Sequence, residues 1–235
     1  MNSGWYRADE TYEALMIDCA LLLALAAEAA GTRTLSWRGR QADPFAEPER
    51  VTLAEAFDHF AGIDLLATVS ADGEVDRQGL AAGARAAGVR VAEDDTWSDI
   101  YSKTLVQLIE PNLGAGRATI LCEYPIVEAA LARPKASDPR VAERFELYAC
   151  GVELANAFGE LTDPALQRQR FEAEMAEKAR VYGERYPIDE AFLAALAHMP
   201  EASGAALGFD RLVMLASGAQ HIEQVIWSPV PEPEP

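Results

Sequence analysis

Gly151-Val152-Glu153-Leu154-Ala155-Asn156-Ala157-Phe158-Gly159-Glu160-Leu161-Thr162-Asp163 carries two carboxylates seven residues apart with an amide between them. On a helix, seven residues make two turns less roughly 20°, which would put Glu153, Asn156 and Glu160 on one face. On a regular strand the odd separation sends the two acids to opposite faces, and a bulge or twist is needed to bring both to one pocket. Two acids on a solvated helix face are common, so spacing alone leaves the choice open. The flanking residues favour a strand. Upstream, Arg144-Phe145-Glu146-Leu147-Tyr148-Ala149 leads into Cys150-Gly151 and reads with Val152 to Asn156 as two strands around a turn. Downstream, Asp163-Pro164 is an N-cap followed by the proline favoured in a first helical turn, predicting a helix to about Tyr182.

A second stretch, Ala205-Ala206-Leu207-Gly208-Phe209-Asp210-Arg211-Leu212-Val213-Met214-Leu215, supplies a glycine and an arginine. Gly208 permits close approach of a flat ligand, and an arginine at a helix start can stack on a base or meet a phosphate. Taken singly, Asp210-Arg211 also fits an acid at a helix N-terminus beside a solvated arginine. Mg²⁺ bridges carboxylate oxygens to nucleotide phosphates and keeps much of its water, so one or two acids suffice to hold it. A remaining carboxylate could hold an ammonium group.

Composition narrows the field. The 235 residues can bury a full core, and half are hydrophobic. With 20 basic against 38 acidic residues the net charge is -18, which repels a phosphate backbone and makes nucleic acid a poor partner. Cys19, Cys122 and Cys150 share no CxxC spacing and read as buried thiols of a cytosolic protein. His59, His198 and His221 sit in separate segments without metal-ligand spacing. The N-terminus lacks a signal-peptide pattern, and the greasiest run, Ala20 to Ala27, is too short to span a bilayer. These features predict a cytoplasmic chain with no membrane partner.

Along the chain, a core helix is expected from about Asp9 to Ala30, stopped by Gly31. Leu35 to Glu49 reads as a loop. Thr52-Leu53-Ala54-Glu55 is a capping box, and further helices are expected between Gly73 and Gly88 and from Trp97 to Ile109. Residues 35–115 thus read as a mostly helical insertion. Ala118 to Tyr124 is β-prone, about Asp189 to His198 and Asp210 to Ser217 helical, and Val225 to Trp227 a last strand. The Pro/Glu-rich 229–235 is expected to be a disordered tail.

Arg144-Phe-Glu-Leu-Tyr, Gly151-Val-Glu-Leu-Ala-Asn, Glu160-Leu-Thr-Asp163, Gln169-Arg-Phe171 and Ala206-Leu-Gly-Phe-Asp-Arg-Leu-Val-Met-Leu-Ala216 follow one another in an order that resembles the C-terminal half of the class II lysyl-tRNA synthetase core. More closely they resemble its paralogue, the elongation factor P lysine lysyltransferase family. Trp5-Tyr6-Arg7 and Tyr12-Glu13-Ala14-Leu15-Met16 resemble the segment just after motif 2, so the similarity runs from about Trp5 to Ser228, and it implies that residues 1–228 are one partial catalytic domain, incomplete at the N-terminus. It implies an α+β fold with an antiparallel sheet flanked by helices, and ATP-dependent formation of an aminoacyl-adenylate. The resemblance implies that Glu153, Leu154, Gly208 and Arg211 contact ATP, with Arg211 and Glu153 catalytic, and that Glu153 and Glu160 hold Mg²⁺. Glu160, Tyr6, Asn156 and Ala206 would form the amino-acid subsite. Ala206 stands where the synthetases generally place glycine, which fits a pocket for β-lysine. The implied partners are elongation factor P and a lysine-type amino acid, with no tRNA, and a homodimer in the family. Motif 1 and the α-phosphate-gripping arginine of motif 2 lie outside the 235 residues. The alternatives are a fragment of a lysyl-tRNA synthetase core and a non-catalytic paralogue that binds ligand or partner without activation.

Overall fold

The computed structural model describes residues 2–228; the expectation for residues 229–235 falls outside them. In chain order the strands are β1 (Asn2–Ala8), β2 (Leu35–Trp37), β3 (Arg40–Asp43), β4 (Glu49–Thr52), β5 (Gly116–Arg117), β6 (Thr119–Cys122), β7 (Pro134–Lys135), β8 (Asp138–Ala142), β9 (Arg144–Ala149), β10 (Val152–Gly159) and β11 (Ala202–Gly208). The helices are α1 (Tyr12–Ala30), α2 (Leu53–Ala61), α3 (Arg77–Ala86), α4 (Trp97–Thr104), α5 (Pro164–Tyr182), α6 (Glu190–Leu196) and α7 (Phe209–Ser217).

The main sheet has the order β1-β11-β10-β9-β6-β4. All its neighbours are antiparallel except β4 and β6, which run parallel. Period-2 alternation explains why one face is dry. Phe145, Leu147 and Ala149 from β9, Ala155 and Ala157 from β10, and Ala205 and Leu207 from β11 are buried against Leu15, Cys19 and Leu23 of α1 and Leu212 and Leu215 of α7. At the β6 end the other face is covered as well, since Leu121 and Tyr148 join a second core with Leu53 and Phe57 of α2, Leu80 of α3 and Ile100 of α4. That second core ends short of β10, β11 and β1; Phe158 of β10 packs on a small cluster of Ala129, Ala132 and Ala142, and the polar remainder of this face is the candidate site.

The β9–β10 hairpin turns at Cys150 (φ 56°) and Gly151 (φ 74°), as its sequence predicts. The predicted capping box is also present. The Thr52 hydroxyl accepts from Glu55 N–H at 3.2 Å while Glu55 Oε2 accepts from Thr52 N–H at 2.8 Å, opening α2. Thr52→Ala is expected to cost about 1 kcal/mol of stability, measured by chemical denaturation, because one helix-end donor loses its acceptor.

Three expectations are corrected. Leu35 to Glu49 is not a loop but contains β2 and β3, which form a three-stranded sheet with β5. The segment 35–115 is therefore helical only from Leu53 onward. Val225 to Trp227 is not a strand; a single 3₁₀ turn at Ile222–Gln224 precedes it, and the segment pairs with no strand of the described residues. The helix expected from Trp97 to Ile109 leaves α geometry at Leu105, where a π-type turn runs to Ile109. α1 is buried along one side only, leaving Ile17, Leu21 and Leu25 exposed.

Candidate nucleotide and amino-acid site

β10 is a strand with a bulge. Glu153 pairs with Tyr148 and Ala155 with Leu147, so Leu154 is one residue extra against β9. Without the bulge Glu153 would share the dry face with Ala155 and Ala157. With it, Glu153 shares the open face with Asn156, Phe158 and Glu160, while the Leu154 side chain enters the core. Leu154 can therefore reach a ligand only through its backbone, whose carbonyl oxygen lies 3.5 Å from where a Cβ on Gly208 would stand.

Strand register lays out the floor. Asn156 pairs with Glu146 and with Ala206, and Ala206 in turn with Gly4. Phe158 pairs with Arg144 and Gly204, and Gly204 with Tyr6. Gly204, Ala206 and Gly208 alternate on the open face of β11, a run of the smallest residues.

At the Glu153 end, Arg211 Nη1 donates to the Glu153 carbonyl at 2.9 Å and lies 3.1 Å from Glu153 Oε2. Glu153, Asn156, Ala206, Gly208 and Arg211 line a cleft of about 410 Å³. An adjoining cleft of about 450 Å³ shares Glu153 and Arg211 and adds Glu110 and Tyr148. Burial, together with the charges of Glu146 and Glu153, holds the Glu110 carboxyl above its ordinary range. Tyr148 Oη donates to Glu146 Oε2 at 2.7 Å; the other Glu146 oxygen accepts from Arg144 Nη2 at 2.7 Å, and Arg144 Nε donates to Asn156 Oδ1 at 3.2 Å. This chain of polar contacts fixes the Asn156 amide.

At the far end Tyr6 and Glu160 converge over Gly204. A Cβ on Gly204 would overlap Glu160 Oε1 and stand 2.8 Å from Tyr6 Cε1. Among the described residues no side chain bonds the Glu160 carboxylate, and burial pushes its pKa from 4.5 up to about 7. A partly buried carboxylate with no side-chain partner has the chemistry that could meet a small cation.

The site thus gathers Glu153, Asn156, Ala206, Gly208 and Arg211 in one cleft, and Tyr6 with Glu160 at the other end of β10. It does not bring Glu153 and Glu160 to one ion. Seven residues of strand separate their Cα atoms by about 20 Å, beyond the reach of two glutamates through one Mg²⁺. No group of three or more metal-ligating side chains occurs among the described residues. Glu153 and Glu110 line the same cleft, and their carboxylate oxygens are of the kind that could meet a divalent ion arriving with phosphates.

Sequence reasoning missed Gly204, Glu110 and the structural role of Arg144, Glu146 and Tyr148. The alternating Arg-x-Glu-x-Tyr of β9 was the available signal for a polar face. Gly204→Ala is expected to lower the melting temperature, because the new methyl would overlap Glu160 Oε1 and crowd the Tyr6 ring, and thermal denaturation checks this.

A largely antiparallel sheet, backed by helices on one face and left partly open on the other, makes this an α+β domain, the architecture expected of the class II aminoacyl-tRNA synthetase type. The chain matches the model of the tRNA synthetases class II (D, K and N) over residues 18–231, and it belongs to that family. It is 36% identical over 239 residues to a lysine–tRNA ligase of Anaeromyxobacter sp. (strain K), covering 96% of this chain and 45% of that protein. It is 36% identical over 230 residues to the elongation factor P–(R)-beta-lysine ligase of Vibrio cholerae serotype O1, covering 97% of this chain and 64% of that one. A ligase of the same name from Edwardsiella ictaluri is 50% identical over 129 residues, covering 52% of this chain and 40% of the relative. The chain spans about half the length of the curated relatives it matches. Among the described residues no helix is long and apolar enough to cross a membrane.

Proposed function

We propose that the chain belongs to a cytoplasmic ATP-dependent ligase that activates a lysine-type amino acid, lysine or β-lysine, and transfers it to a lysine of elongation factor P. The amino-acid carboxylate attacks the α-phosphorus of ATP and displaces pyrophosphate. The amine of the target lysine then attacks the adenylate carbonyl, forming an amide and releasing AMP, with one proton lost from the amine. The observation that carries this reading is the single open face of β10 and β11, with an arginine-bearing cleft at one end and an orphan carboxylate at the other.

In this reading Arg211 meets the nucleotide, the Leu154 backbone and Gly208 accept its flat base at close range, and Glu160 with Tyr6 holds the substrate ammonium. Asn156 and Ala206 line the path between them, and the Ala206 methyl trims the space beside the substrate chain. Mg²⁺, when bound, neutralises phosphate charge, with Glu153 and Glu110 as its protein oxygens.

Lysine-dependent ATP–pyrophosphate exchange tests the activation step, and transfer of labelled amino acid to elongation factor P or to tRNA tests the acceptor. Labelling of the factor is the expected outcome. Labelling of tRNA supports a lysyl-tRNA synthetase core instead, since lysine–tRNA ligases match this chain over a length and at an identity equal to those of an elongation factor P ligase. Binding of ATP and lysine without exchange would leave a non-catalytic paralogue.

A further inference from the structure

Arg38 and Gly39 form the two-residue connection of the β2–β3 hairpin, with Trp37 paired to Arg40. Their φ values are 46° and 79°, the left-handed pair of a type I′ turn. The first position of such a turn favours Asn, Asp or Gly, so a long cation there is held at a backbone cost. The guanidinium lies 4.3 Å from the Trp37 ring centroid. Trp37 is itself anchored, its Nε1 donating to the Gln220 carbonyl at 3.2 Å. Arg38 and Trp37 line the cleft of about 450 Å³ that adjoins the Gly208 cleft across Glu153 and Arg211.

Charge in that cleft is unbalanced. Its lining includes the carboxylates Glu110, Glu153 and Glu223 and the guanidiniums Arg38 and Arg211. Arg211 is committed to Glu153. Among the described residues Arg38 has no ion pair or hydrogen bond, and its one contact of this kind is the indole face. A guanidinium stacked on an anchored aromatic keeps its edge N–H groups free for an anion.

We infer that Arg38 binds the terminal phosphates of the nucleotide, and this rests on the nucleotide reading proposed above. The base and first phosphate occupy the Gly208 cleft, and the β- and γ-phosphates pass over Glu153 and Arg211 into the cleft that Arg38 borders. Arg38 is then a specificity residue that distinguishes ATP from AMP.

The test is calorimetric titration of the 235-residue chain with ATP and with AMP, each in Mg²⁺, for wild type, Arg38→Gly and Arg38→Lys. Glycine suits the left-handed turn, so Arg38→Gly is expected to melt no lower than wild type. It should lose ATP affinity about fivefold, with AMP affinity unchanged. Arg38→Lys should recover part of the ATP loss. Equal losses for ATP and AMP, or no loss for either, would overturn the assignment. Wild-type chain that binds neither nucleotide would overturn the nucleotide reading along with it, whereas ATP binding indifferent to Arg38 removes this inference alone.

Discussion

Arg211→Ala is expected to lower ATP affinity about a hundredfold, with little change in melting temperature. The two halves of that expectation have separate causes. Arg211 and Glu153 form an exposed ion pair, 3.1 Å apart, and such pairs contribute roughly 0 to 1 kcal/mol to folding. Toward a nucleotide the same guanidinium makes charge-assisted bonds worth about 1.5 to 3 kcal/mol. Its removal also leaves Glu153 without a counter-charge beside Glu110, which Glu146 and Glu153 already perturb. The cleft then opposes phosphate with uncompensated acids, which brings the loss to about a hundredfold. Arg211→Lys keeps the charge but not the planar guanidinium fork that stacks on a base or grips a phosphate with two N–H groups, so it should fall between the two. Calorimetry against ATP decides. Undiminished ATP affinity in Arg211→Ala would remove Arg211 from the nucleotide role.

The β9–β10 hairpin was legible because its cues are local, a period of two and a turn with Gly151 in the left-handed region. The face on which Glu153 lies was not. It depends on one extra residue opposite β9, and a bulge is a property of two strands in register, invisible in either alone. The same limit explains β2 and β3. Arg40-Gln41-Ala42-Asp43 has no apolar alternation, and only pairing with β2 and the distant β5 makes it a strand. Val225 to Trp227 is the converse case, β-prone residues that pair with no strand among the described residues; Trp227 is 99% exposed. Glycine gave no hint at position 204, because its role is the absence of a side chain beneath Tyr6 and Glu160, two residues far from it in sequence. The second helical half of Trp97 to Ile109 likewise looked continuous, since the change to π geometry at Leu105 leaves the apolar spacing intact.

Glu160→Gln should separate the two ends of the site and also report the protonation state of the acid. The amide cannot offer a charge to an ammonium group, so lysine binding is expected to fall about thirtyfold at pH 8, while ATP binding holds. In the wild type, burial has moved the Glu160 carboxyl from 4.5 to about 7. Only the ionised form pairs with the ligand, so wild-type lysine affinity should drop by up to about tenfold per unit as pH falls below 7, and the variant should show no such slope. Stability moves the opposite way. Between about 4.5 and 7 the unfolded chain releases this proton and the folded chain keeps it, so rising pH favours unfolding through that window and the cost is complete above it. Glu160→Gln is therefore expected to melt higher than wild type at pH 8 and equally at pH 4. The melting gain locates a buried, unpaired acid, and the binding loss assigns it to the amine; a variant that gains stability yet binds lysine as wild type does would leave Glu160 strained by burial without a ligand to hold.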